Sequence, residues 1–175
     1  GRDLKSEIGG IMMKQCLNAL IEDPKTEIIV LVSKPPAKDV EDQILKIAAN
    51  AGKPVVVCFI GGDAEKIKKA GLYAAVSLED AAHKAVALAK GEAVSDFEDF
   101  TMGLEKAEAL AAEERAGRIQ GQKYVRGLYT GGTICDEAMK LLIGSMGHIY
   151  SNIPLKAEDK LENARNGKSR ENTFL

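Results

Sequence analysis

The sequence is poor in cysteine, histidine and proline: its 175 residues contain three, two and five of them, respectively. Cys16, Cys58 and Cys135 lie far apart with no CxxC pair, so neither a zinc site nor a disulfide framework is suggested and no metal is expected. Cysteine used this sparingly fits a reducing cytoplasm. Positive charge is not in excess either. With 24 basic against 26 acidic residues the net charge is -2, and no Lys/Arg-rich run stands out as a binding stripe, which sets nucleic acid aside as a partner. The longest apolar runs, residues 28–32 and 54–60, have the length of strands. A membrane helix needs about 20 residues, so no membrane partner is expected, and no signal-peptide pattern is visible. The first residue is Gly1 rather than Met, and the chain reads as a trimmed piece of a longer protein.

What is present is an alternation of strands and helices. Apolar residues at helical spacing, Ile8, Ile11, Met12, Cys16, Leu20 and Ile21, predict a helix over residues 6–22 that stops at Asp23-Pro24, with Cys16 in the core. Residues 27–33 form an unbroken apolar run, as expected of a parallel strand covered on both faces. A helix over 38–50 closes at Gly52, a second buried strand spans 54–60, and Gly61-Gly62-Asp63 ends it. A short helix over 64–70, a weaker strand over 73–76 and a helix over 78–90 capped by Ser77 follow. Such spacing predicts βαβ units: an α/β fold of three layers around a mostly parallel sheet. Residues 92–122 are charged and Ala-rich, with a solvated helix over 104–115, and read as a connector. A new βα unit opens at Tyr124, its helix running to about Met146; a strand at 148–151, a polar tail and an unfinished strand at Thr173 follow.

Open α/β sheets bind ligands at the carboxyl ends of their strands. Three turns qualify: Ser33-Lys34, Gly61-Gly62-Asp63 and Thr130-Gly131-Gly132-Thr133. In the last, the glycine pair can take positive φ, Thr133 is a good N-cap with acids in the first helical turn, and exposed N–H groups could hold a phosphate or carboxylate. It is neither GxGxxG nor GxxxxGK[ST], and an ordinary βα turn that binds nothing reads the same way. Lys34 could add positive charge to an anion, or serve only as a solvated loop residue. His83 reads as a surface residue, and His148 as a structural one with no carboxylate or cysteine partner near it in sequence. Cys135 and Cys58 read as packing residues. The pairs Asp136-Glu137 and Glu113-Glu114 are adjacent rather than convergent, so no catalytic residue is assigned.

Four segments carry a resemblance. Gly1-Arg2-Asp3-Leu4 with Glu7-Ile8-Gly9-Gly10, Val32-Ser33-Lys34-Pro35-Pro36-Ala37, Gly127-Leu128-Tyr129-Thr130-Gly131-Gly132-Thr133 and Asn172-Thr173-Phe174-Leu175 together resemble the FdrA family, relatives of the succinyl-CoA synthetase subunits. The resemblance covers nearly the whole chain. It implies a flavodoxin-like CoA-ligase domain over residues 1–91 with its first strand missing, a connector over 92–122, and the start of a second ligase-type module over 123–175. Gly1-Arg2-Asp3 would end a glycine-rich loop, and Leu175 would stop before an acidic and basic motif region. CoA and a nucleotide would be held by domains outside this chain, including a CoA-binding domain, in a homo- or hetero-oligomer. The implied ligand is an acyl or carbamoyl phosphate. The implied activity is acyl-CoA synthetase-like ligation, or a subunit's role in oxamate carbamoyl transfer; a non-catalytic interaction module is the other outcome. Succinyl-CoA synthetases relay phosphate through a histidine in a Gly-His-Ala-Gly loop, and the nearest counterpart is Lys68-Lys69-Ala70-Gly71. A lysine, with an ordinary pKa of about 10.4, is a poor phosphate acceptor at neutral pH.

Overall fold

The computed structural model describes residues 1–97, 102–163 and 171–175. The chain divides into two compact units, Gly1–Glu98 and Asp99–Leu175. Both are α/β with small parallel sheets, and together they hold six α-helices among the described residues.

In the first unit α1 (Ile11–Glu22), β1 (Ile29–Ser33), α2 (Lys38–Ala49), β2 (Val55–Phe59), α3 (Ala64–Lys69), β3 (Tyr73–Ala74) and α4 (Leu78–Lys90) follow in order. The three strands pair in parallel in the order β1-β2-β3, with Ile29 opposite Val55 and Ser33 opposite Phe59. Ile29, Leu31, Val55, Val57 and Phe59 point to one side, against Leu17 of α1, Val40, Ile44 and Leu45 of α2 and Ile67 of α3. Val56 and Cys58 point to the other, against Ala81 and Leu88 of α4.

The expectation of strands covered on both faces therefore holds for β2, whose five residues are all buried, and fails for β1. Val30 and Val32 stay 41% and 40% exposed, because the one helix on their side packs over β2.

The first helix begins five residues later than its periodicity predicts. Gly9 and Gly10 both sit at positive φ, 76° and 69°, and end a run of turns before α1. Gly10 is also pressed against α2: a Cβ there would meet Val40 Cγ1 at 2.7 Å. The Asp3 carboxylate supplies the cap, accepting the N–H groups of Met12 and Met13 at 3.0 Å each. Met13, Leu17 and Ile21, four residues apart, form the buried face of α1. Cys16 lies one position off that stripe, about 100° around the helix, and is exposed rather than in the core.

The second unit contains α5 (Leu104–Ala116), β4 (Arg126–Gly127), α6 (Gly132–Met146), β5 (Tyr150–Ser151), a 3-10 turn (Ala157–Asp159) and β6 (Thr173–Phe174). As expected of a solvated helix, α5 buries nothing. Residues 98–101 of the expected connector and 164–170 of the polar tail lie outside the described residues. The strand expected from Tyr124 shrinks to two residues, with Tyr124 and Val125 about half exposed.

Strand order is β4-β6-β5, all parallel. The expected unfinished strand at Thr173 is thus the middle of this sheet, buried at both residues. Phe174 packs with Cys135, Met139 and Ile149, and its ring lies 5.6 Å from that of Tyr129.

Replacing Asp3 with Ala is expected to cost about 1 kcal/mol through the lost cap, and Phe174→Ala about 3–5 kcal/mol through the cavity it leaves. Urea unfolding followed by far-UV circular dichroism checks both, and equal losses would contradict the central place given to β6.

Candidate functional site

In the first unit the parallel register sets Ser33 beside Phe59, so the turns after β1 and β2 emerge side by side. The Ser33 carbonyl accepts the Ile60 N–H at 2.9 Å, and its hydroxyl donates to the Lys34 carbonyl at 2.6 Å. After β2 the chain turns at once. Gly61 has a φ of 75°, and the Gly62 N–H donates back to the Phe59 carbonyl at 2.6 Å. A Cβ on Gly62 would stand 2.9 Å from that same carbonyl oxygen, so the turn tolerates no side chain there. Asp63 then caps α3, accepting the Lys66 N–H at 3.1 Å.

Beneath this turn lies a cavity of about 190 Å³ lined by Phe59, Gly61, Gly62, Ala64, Ile67, Ala75 and Val76. It offers an apolar floor and backbone polar groups, with no titratable side chain in its wall. Ser33 and Lys34 neighbour the turn without lining the cavity.

Lys68-Lys69-Ala70-Gly71, the counterpart of the relay loop, closes α3 and enters β3 at its amino end, with Gly71 at a φ of 79°. Lys68 there lies 3.3 Å from Asp96 and 3.4 Å from Glu65, and those carboxylates, Asp96 foremost, raise its pKa.

The remaining predicted residues, Thr130, Gly131, Gly132 and Thr133, belong to the second unit. Their turn differs from the expected one in three respects. Gly131 is the N-cap residue, extended at a φ of -137°, and neither it nor Gly132 takes positive φ. Thr133 falls inside the first turn of α6 instead of capping it, and the N-cap Gly131 has no side chain to do so; Asp136 and Glu137 lie beyond that turn. The space around Gly131 is open, with no atom within 4 Å of where a Cβ would be, and Gly132 approaches Ile153 Cδ1 of the turn after β5 at 3.5 Å. Gly127 is glycine for a local reason, since a Cβ would meet the Tyr129 ring at 2.5 Å. Burial foremost, with Cys135 nearby, raises the Tyr129 pKa. Cys135 is buried in the core, as expected of a packing residue.

Two side-chain pairs escaped the sequence reading. On α4, buried Lys84 lies 3.0 Å from buried Asp80 and donates to the Ala74 carbonyl at 2.6 Å, while Asp80 accepts the Val76 N–H at 2.9 Å. The pair bolts the end of β3 to α4 at the floor of an open groove of about 620 Å³ between α4 and residues 92–97. Its i,i+4 spacing was the available signal. The other pair gives His148 a partner in space: its Nδ1 lies 2.7 Å from Oδ1 of Asp159, a carboxylate eleven positions away. His83 is exposed, as expected, and lies 3.8 Å from Glu79.

Taken together, the chain is a pair of small parallel α/β units whose glycine turns sit at strand carboxyl ends. No protein-family model matches it. Over all 175 residues it is 41% identical to the uncharacterized protein YahF of Escherichia coli (strain K12), and it spans 33% of that protein's length.

Lys84→Ala is expected to cost about 3–5 kcal/mol, because Asp80 is left as a buried charge. The same change at Lys68, which lies 3.3 Å from the exposed Asp96 and 3.4 Å from the exposed Glu65, is expected to cost much less. Chemical denaturation of the two variants tests the contrast, which similar losses would refute.

Proposed function

We propose that this chain is part of an FdrA-type, acyl-CoA synthetase-like protein, its first unit a flavodoxin-like ligase domain, and that it binds an acyl or carbamoyl phosphate at strand carboxyl ends. The observation that carries the proposal is the start of α6. Gly131 needs no glycine for backbone reasons, yet it is the N-cap residue of a 15-residue helix, where it offers no capping side chain and the space at its own Cβ position is open. Such a terminus favours an anion through its unpaired donors and its dipole. The order of the quoted motifs along the chain supports the family reading. Lys69, at the place of the relay histidine, favours carbamoyl transfer over a phosphohistidine route, since carbamoyl transfer needs anion clamps and no phosphorylated residue. CoA and a nucleotide belong to domains outside this chain.

Thermal shift of the protein with carbamoyl phosphate, inorganic phosphate, ATP and CoA tests this. A ligand at a hundred times its dissociation constant adds about 2.7 kcal/mol to stability. Carbamoyl phosphate is expected to raise Tm more than inorganic phosphate does. Gly131→Val, which the extended backbone accepts, is expected to weaken that response about tenfold in apparent affinity. A response of Gly131→Val equal to the parent's would reject the anion site, and no response of the parent to any of the four compounds would leave a non-catalytic interaction module as the better reading.

A further inference from the structure

The end of α6 and the 3-10 turn bring together the three groups of a metal site that no sequence motif announces. His148 follows the helix terminus at Gly147, whose φ is 73°, and stands two positions before Tyr150, the first residue of β5; Glu158 and Asp159 end the 3-10 turn. One ligand atom from each of His148, Glu158 and Asp159 lies within 4.8 Å of the others. The decisive residue is Asp159. It is 2% exposed, Oδ1 lies 2.7 Å from His148 Nδ1, and Oδ2 is buried without a hydrogen-bond partner among the described residues. A buried carboxylate oxygen left unpaired costs desolvation free energy that its surroundings do not return, and a cation is one group that returns it.

The frame around the three groups is fixed by backbone bonds. The Asp159 N–H donates to Lys156 O at 3.1 Å, the Leu161 N–H to Ser151 O at 3.0 Å, and Tyr150 N–H to Asn172 O at 2.8 Å. The nearby Lys156 ammonium is engaged by the Gly147 carbonyl at 3.1 Å. Only Glu158 and the His148 ring are exposed, so ions have access from solvent and Glu158 has the freedom to close on a bound one.

We infer that His148, Glu158 and Asp159 form a binding site for a divalent transition-metal ion. One imidazole nitrogen with two carboxylates suits Zn²⁺ or Mn²⁺ and discriminates against Mg²⁺, which prefers all-oxygen sites with several waters. Ligand bonds of about 2.0–2.2 Å require donor separations of roughly 3–4 Å, so the exposed His148 ring moves slightly away from Asp159 Oδ1, now 2.7 Å from its Nδ1, and the exposed Glu158 closes in. Binding at Nδ1 puts the imidazole proton on Nε2 and replaces the His148–Asp159 hydrogen bond by two metal–ligand bonds. Three protein ligands leave positions for water or an anionic ligand. The inference stands on this cluster alone and is independent of the anion site proposed at α6.

The test uses the chain carrying Cys16→Ser, so that the exposed thiol of Cys16 contributes no zinc binding. Isothermal titration with Zn²⁺ is expected to show one site, with Mg²⁺ producing no heat at the same concentrations. Asp159→Asn and His148→Ala are each expected to weaken Zn²⁺ at least roughly tenfold. Glu158→Ala, an exposed change that leaves the fold intact by circular dichroism, is expected to weaken it as well. In ¹⁵N spectra of the imidazoles, the ring nitrogens of His148 are expected to shift on Zn²⁺ addition while those of His83 do not. Zn²⁺ affinity unchanged in Glu158→Ala, or a His148 ring unmoved at saturating Zn²⁺, would overturn the site and leave the His148–Asp159 contact as a structural hydrogen bond.

Discussion

Burial of β2 on both of its faces is the constraint from which the first unit follows. Parallel neighbours require crossover connections, and right-handed crossovers that step in one direction across a sheet all land on the same side. The order β1-β2-β3 advances one strand at a time, so α2 and α3 share a face, and α1 joins them. Only α4, which follows the last strand, covers the opposite face, and it settles over Val56 and Cys58. The half-exposed Val30 and Val32 are the consequence. The same geometry collects the turns after β1 and β2 at one edge and sends the relay-loop counterpart to the other.

The second unit depends on a contact that is remote in sequence. Its β4-α6-β5 crossover leaves a gap one strand wide, which β6 fills from the end of the chain. Asn172 ties both neighbours to it: its side-chain oxygen accepts the Val125 N–H at 3.0 Å and its amide donates to the His148 carbonyl at 3.4 Å. Tyr129 N–H closes the edge on Leu175 O at 2.7 Å. The sheet therefore forms only after residues 47 positions apart, Val125 and Asn172, have met, an entropic cost that local βα pairs avoid.

Elements with local punctuation were legible in the sequence. Ser77 caps α4, which runs from Leu78 to Lys90 as expected, and Asp23-Pro24 stopped α1 as read. Elements whose limits come from elsewhere were not. Periodicity could not show that Gly9 and Gly10 turn the backbone left-handed before α1, or that Asp3 caps it from nine residues away. Nor could an apolar run disclose how many helices cover each face of β1. The position of Cys16 failed for a related reason: the apolar residues of α1 span two adjacent stripes and only Met13, Leu17 and Ile21 face the core. At the sites, glycine turns were visible because turn chemistry is local. The Asp80–Lys84 bolt and the His148–Asp159 contact depend on burial and on approach in space, which residue type alone does not encode.

The two glycine turns then weigh differently. Gly61 and Gly62 are accounted for by the fold: one needs positive φ, the other has no room for a Cβ beside the Phe59 carbonyl. Their presence is no argument for a ligand. Gly127 is likewise explained by the Tyr129 ring. Gly131 has an extended backbone that any residue adopts and open space around it, so neither conformation nor packing calls for glycine at that position. A glycine that the fold does not require, at the N-cap position of the longest helix described, is the stronger pointer to function. It shifts the weight of the anion-binding proposal from the first unit, where strand burial organises the turn, to the second.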